Sequence, residues 1–210
     1  SVPYFYNGYW YITRYEEGKD YPIYIRKKGA LTAKEEVLFD CNEIAQGKDY
    51  FRLVGISVSP DNTKVAFGID TVSRRQYTLK IKDLISDKLL ETKIENTTGG
   101  SVWAADNATL FYNKKDDQTL RSEAVYKHQI NSTKQADQLV YEEVDETYSV
   151  YVSSSKSREF IFISSHSTTT SEHRFIRSDQ PEADFKIIQT RTTGLEYDVA
   201  HFGDHFYLHT

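Results

Sequence analysis

The chain has 210 residues, room for one large or two small domains, and its 16 Tyr and 11 Phe favour strands over helices. A net charge of −5, scattered along the sequence, and a pI near 5.7 argue against nucleic acid or an anionic membrane as partner. No run approaches the ~20 apolar residues of a membrane span, no basic-then-apolar leader opens the sequence, and the lone Cys41 excludes an internal disulfide and fits a reducing compartment.

Residues 1–40 read as four strands. Asn7-Gly8 is a hairpin turn signal between two aromatic strands, with Tyr9, Tyr11 and Thr13 on one face and Trp10, Ile12 and Arg14 on the other. A polar loop holding Glu16, Glu17 and Asp20 leads to strands at 22–28 and 37–39. Residues 40–47 predict one or two helical turns, with Asp40 and Glu43 as a capping box and Gly47 as the stop.

The clearest motif spans 54–70. Val54, Ile56 and Val58 alternate with Gly55, Ser57 and Ser59; Ser59-Pro60-Asp61-Asn62 supplies a turn; Val65, Phe67 and Ile69 resume the pattern of a half-buried strand. Strands at 76–82 and 88–94 complete this unit. The next reads as 101–104, a turn at Asp106-Asn107, 109–113, 123–130 and 138–142. The following one reads as 148–152, 159–164, 173–177 and 185–189, with Ser153-Ser154-Ser155-Lys156 in place of Ser-Pro-Asp-Asn. A last unit starts at 197–201, turns at Gly203-Asp204 and stops within its second strand. The tripeptides Asn96-Thr97-Thr98, Asn107-Ala108-Thr109 and Asn131-Ser132-Thr133 match the glycosylation pattern and read as turn chemistry.

Trp10, Val65, Leu110, Phe160 and Phe206 fall at equivalent places in the second strands, roughly 45–55 residues apart. Four strands per repeat with no long helix between them predict an all-β fold, a partial β-propeller of four-stranded antiparallel blades. The blades fall at 1–40, 54–94, 100–143, 147–190 and, incomplete, 197–210. A β-sandwich lacks such a near-constant period. A blade cut after its second strand leaves an open edge, so the sequence reads as a truncated ring.

Several stretches invite a chemical reading. Gly99-Gly100-Ser101-Val102-Trp103 approaches the nucleophile elbow Gly-x-Ser-x-Gly, but Trp103 breaks the pattern and no helix follows, so Ser101 reads as a strand start. His201, His205 and His209 recur every four residues, a zinc spacing on a helix. On strands a turn separates the first from the others, which leaves ordinary strand surface. His166 and His173 flank a Ser/Thr-rich loop with no nucleophile or carboxylate spaced to support them. Arg74-Arg75, Glu16, Glu17 and Asp20 read as solvated turns. Gly55, Ser57 and Ser59 are expected to face the central channel. No catalytic, cofactor-binding or metal residue is assigned.

Ser1-Val2-Pro3-Tyr4, Gly8-Tyr9-Trp10-Tyr11, Thr13-Arg14-Tyr15-Glu16-Glu17-Gly18 and Tyr21-Pro22-Ile23-Tyr24 with Arg26-Lys27 together resemble the first propeller blade of the prolyl oligopeptidase family. Within it they are most similar to the oligopeptidase B (protease II) branch. Val37-Leu38-Phe39-Asp40 with Asn42-Glu43, Ser59-Pro60-Asp61-Asn62, Tyr77-Thr78-Leu79 with Lys82-Asp83-Leu84, and Phe206-Tyr207-Leu208-His209-Thr210 extend the match along the whole chain. The resemblance implies a seven-bladed propeller whose ring is not closed by strand exchange. It also implies a catalytic α/β-hydrolase domain C-terminal to the propeller in the same protein, and cleavage of short peptides after Arg or Lys. The propeller then gates substrate size, and the chain alone is expected to be inactive. The expected location is cytoplasmic, with the periplasm as alternative. The rival reading is a stand-alone protein-interaction propeller. Open blade edges predict self-association.

Overall fold

A computed structural model describes residues 1–130 and 137–210; the tripeptide Asn131-Ser132-Thr133 lies outside the described residues. The described chain is almost entirely antiparallel strand, with one short helix, and divides into two compact units.

The first unit comprises residues 1–53 and 70–73. Its sheet runs in the order β1 (Tyr4–Tyr6), β2 (Tyr9–Arg14), β3 (Ile23–Lys28), β4 (Glu35–Asp40). Asn7 and Gly8 both take positive φ, 48° and 84°, the turn whose twist matches the flanking strands. Tyr9 with Tyr11 and Ile23 with Ile25 are buried in alternation, whereas Leu38 and Phe39 are buried in succession on β4, opposite a register shift between Tyr24 and Ile25. Helix α1 (Cys41–Ile44) follows directly: the Asp40 carboxylate accepts from the N–H groups of Asn42 and Glu43. The Asn42 side chain then satisfies both backbone groups of Tyr21, at 3.0 and 2.8 Å.

The second unit comprises residues 54–69 and 74–210. One seven-stranded sheet contains β5 (Arg52–Val58), β6 (Lys64–Asp70), β7 (Tyr77–Asp83), β8 (Lys88–Trp103), β9 (Thr109–Lys115), β10 (Ser122–Gln129) and β11 (Gln138–Glu142), in spatial order β11 to β5. A four-stranded sheet holds β12 (Ser149–Ser154), β13 (Phe160–His166), β14 (Ser171–Arg177) and β15 (Lys186–Gln189); β16 (Asp198–Phe202) and β17 (His205–His209) form a hairpin.

The seven-stranded sheet corrects the expected break between strands at 88–94 and 101–104. Strand β8 runs unbroken through 16 residues, so Asn96-Thr97-Thr98 lies inside a strand rather than in a turn. The reason is a bulge. Asn96 and Gly99 take φ of 59° and 85°, and the pairing register with β9 slips between Thr97 and Ser101. The Thr97 hydroxyl bridges the irregularity, donating to Tyr77 O at 2.9 Å and accepting from Gly99 N at 3.0 Å. Two neighbouring glycines make room. A Cβ on Gly55 would stand 2.1 Å from Gly99 O, and one on Gly68 2.4 Å from Gly99 Cα.

Two further expectations are corrected. Strand β6 is buried on both faces and not half-buried: Val65, Ala66 and Phe67 are all 0–2% exposed, and Ala66 packs into the core formed with Leu79, Ile81 and Leu110. Ser59 does not face a channel. It is fully buried, its hydroxyl donating to Asp61 and accepting from Lys64 N, which ties the ends of the Ser59-Pro60-Asp61-Asn62 turn.

Two apolar cores lie on opposite sides of β9. Leu110 and Tyr112 join Ala66, Leu79, Ile81, Trp103 and Ile130 on one side; Phe111 joins Val125, Val150, Ile161, Ile163 and Ile176 on the other. Each fully buried Leu, Ile, Val or Phe among them stabilises by about 1.5–3 kcal/mol.

Candidate functional site

In a four-stranded antiparallel blade, the loop from second to third strand and the loop leading to the next blade emerge at the same end. In the second unit these include residues 116–121, 143–148, 167–170 and 190–197; buried polar residues lie in them (Glu143, Thr170) and on the adjoining strands (Ser164, Ser171, Glu172, His173).

Arg191 lies at the centre of this set. Its Nη2 sits 2.6 Å from Glu143 Oε2 and 3.3 Å from Glu172 Oε1, and its backbone N–H donates to Glu172 Oε2 at 3.0 Å. Arg174 Nη2 reaches Glu172 Oε1 at 2.6 Å. The Tyr141 hydroxyl donates to Glu143 Oε2 at 2.8 Å. Both guanidinium groups lie over rings, Arg191 on Tyr148 and Arg174 on Tyr141, about 4 Å from the centroids. Arg121 Nη1 holds the 143–148 loop by donating to the carbonyls of Glu143 and Tyr148. Glu143 and Glu172 are almost fully buried. Burial pushes both carboxyls up, but hydrogen bonds to the Arg191 side chain (Glu143) and backbone N–H (Glu172), together with neighbouring positive charge, outweigh it and hold both below the usual range. With Glu123 Oε2 3.3 Å from Arg121 Nη2, three guanidinium groups meet three carboxylates, and Glu143 and Glu172 are committed to partners.

Beside it sits a Ser–His pair that spacing did not foresee. Ser164 and His173 are directly opposed across β13 and β14, with Oγ 2.8 Å from Nδ1. The other ring nitrogen, Nε2, lies 2.7 Å from the carbonyl of Tyr197. A carbonyl only accepts, so Nε2 carries the proton and Nδ1 accepts from Ser164. In a catalytic triad the second nitrogen faces a carboxylate that stabilises the imidazolium. Here it faces a carbonyl, and the ring is 4% exposed with its basicity depressed by burial. The geometry is that of a strut.

The remaining sequence candidates are dispersed. Ser101 is not a strand start: it pairs with Tyr112 near the C-terminal end of the unbroken β8. His201 is a correction to the surface reading: it is 8% exposed, because Phe160 and Phe206 pack on its ring while Ser157 Oγ meets Nδ1 at 2.8 Å. His205 and His209 lie on exposed β17, and His166 packs edge-on against His173 at 5.2 Å. Glu16 pairs with Arg14 at 2.6 Å, while Glu17, Asp20, Arg74 and Arg75 lie at the surface. The Arg121–Glu143–Glu172–Arg174–Arg191 network escaped sequence reading because its members are scattered along the chain. Arg121, Glu143 and Arg191 lie one or two residues outside a strand, whereas Glu172 and Arg174 lie within β14.

Residues 1–210 match the family model described as "Prolyl oligopeptidase, N-terminal beta-propeller domain". The chain belongs to the prolyl oligopeptidase family. Among its relatives, dipeptidyl aminopeptidase BI of Pseudoxanthomonas mexicana is 37% identical over 225 aligned residues, covering 100% of this chain and 31% of that protein. Protease 2 of Moraxella lacunata is 33% identical, over 97% of this chain and 30% of that protein. Oligopeptidase B from Leishmania major superposes with a TM-score of 0.89 at 31% identity, covering 97% of this chain and 29% of that one. This prolyl oligopeptidase family chain thus spans about a third of the length of the relatives it matches, and its blades are those of the family's propeller.

Proposed function

We propose that the chain is the N-terminal propeller portion of a serine oligopeptidase that cleaves short peptides after Arg or Lys, with bond cleavage performed by an α/β-hydrolase domain elsewhere in the same protein. The observation that carries this reading is the unbroken match of residues 1–210 to the family's propeller, joined to the likeness to oligopeptidase B. The propeller's contribution is steric: blades stacked on dry cores form a rigid wall that admits a flexible peptide and turns away a folded protein. The peptidase names of the relatives favour this over a stand-alone interaction propeller. We place the protein in the cytoplasm, with the periplasm as alternative.

The test is active-site labelling. A fluorophosphonate that reacts with activated serines should label the full-length protein at a residue outside this chain and leave the isolated 210-residue chain unlabelled. Stoichiometric labelling of Ser101, Ser164 or any other serine of this chain would overturn the reading.

The isolated chain is also expected to self-associate. Strand β17 is a sheet edge, and Phe202, Tyr207 and Leu208 on its hairpin are 77%, 55% and 51% exposed.

A further inference from the structure

We propose that His173 is an acid-responsive pin of the joint between the fourth blade and the β16–β17 hairpin: neutral, it locks the joint; protonated, it loosens it. The joint is built on Tyr197, which is 3% exposed and has no apolar substitute for its polar contacts. Its backbone N–H donates to Ser171 Oγ at 2.7 Å, and its carbonyl accepts from the same hydroxyl at 2.8 Å. Its phenol donates to Gln189 O at 2.7 Å and accepts the His173 backbone N–H at 3.0 Å, a group freed by the bulge between His173 and Arg174. The His173 ring closes the set, gripping the Tyr197 carbonyl with Nε2 while Ser164 donates to Nδ1.

A proton on Nδ1 reverses the hydrogen bond, with the Ser164 hydroxyl turning to accept, and places a charge in a buried site. The groups facing the ring offer it little. On β13 they are Ser164 and His166, the latter a second imidazole. On β14, Glu172 is already held by Arg174 and Arg191. From the strand entering the hairpin come the uncharged Tyr197 and Asp198, whose carboxylate is on an exposed residue. Protonation is therefore cheaper with the joint open, where water solvates the ring, so acid shifts the joint toward the open state. Burial holds His173 below its ordinary value of 6.5, so the effect develops as pH falls below that value.

The test is hydrogen–deuterium exchange on the protein at about pH 7.5 and about pH 5, corrected for intrinsic exchange, with β9 as internal reference. Protection of 198–202 should fall by up to about tenfold per pH unit below the ordinary histidine value while β9 stays constant. In His173→Gln the pH dependence should vanish. An unchanged profile in the hairpin of the native protein would overturn the proposal, as would a persisting profile in His173→Gln.

Discussion

The guanidinium of Arg191 joins two carboxylates that the chain brings from different sheets, Glu143 after β11 and Glu172 on β14. Removing it strands Glu143 in a buried site with only Tyr141 and a backbone N–H for partners. Arg191→Met should cost about 2–4 kcal/mol in urea unfolding, somewhat below a fully buried pair because Arg191 keeps a quarter of its side chain in water. The pH dependence has a definite sign. Both glutamates sit below their ordinary value of 4.5, so they stabilise the fold above it, and that contribution is lost as pH falls through their folded values. Stability measured from neutral pH down to acid should therefore drop below about pH 4.5 in the native protein, and less steeply in Arg191→Met. An equal slope in both would show that Arg191 is not what holds the glutamates ionised.

At the scale of elements, the bulge in β8 is the feature that shapes the second unit. Gly55→Ala places a methyl group against the backbone of Gly99 at a position with φ +65°. The combined overpacking and backbone strain should cost about 2–5 kcal/mol. Gly203→Ala, at φ +59° with nothing within 4 Å, should cost only the backbone term of about 1–2 kcal/mol. Equal melting temperatures for the two variants would refute the close approach. This contrast also marks what was legible in the sequence. The blade repeat was, because Val65, Leu110 and Phe206 each follow the left-handed residue of a turn (Asn62, Asn107, Gly203) by three positions, Phe160 follows Arg158 by two, and each is the first or second residue of its strand. The unbroken course of β8 was not: Asn96-Thr97-Thr98-Gly99-Gly100 has the composition of a turn, and the pairing of Thr97 with Tyr77 and Lys114, reinforced by the bonds of its hydroxyl to Tyr77 and Gly99, keeps it in the sheet. The polar network was illegible for a related reason. Buried charge is tolerated only where a partner meets it, and Arg191 meets Glu143 and Glu172 from 48 and 19 residues away.

Across the second unit, blades are tied by one recurring device at the start of each third strand. The Tyr77 carbonyl takes Thr97 Oγ1, Ser122 Oγ donates to Val150 O at 2.6 Å, and Ser171 Oγ exchanges two bonds with Tyr197. Asn113 adds a side-chain imitation of strand pairing, donating to Val150 O and accepting from Val152 N. Between β10 and β12, and between β14 and the β16–β17 hairpin, such bonds join sheets that share no ladder, whereas β8 carries one ladder through both of its blades. Among the described residues the β16–β17 hairpin pairs with no further strand. Light scattering on the isolated chain should therefore show species larger than 24.3 kDa that shrink toward the monomer on dilution; a monomer at every concentration would count against edge pairing. The central claim, a propeller that restricts an oligopeptidase to short substrates, is tested most directly by one comparison of cleavage rates. The full-length protein should cleave a short Arg-containing peptide and leave the same sequence intact within a loop of a stably folded protein. Comparable rates on both substrates, or no cleavage of the free peptide, would contradict it.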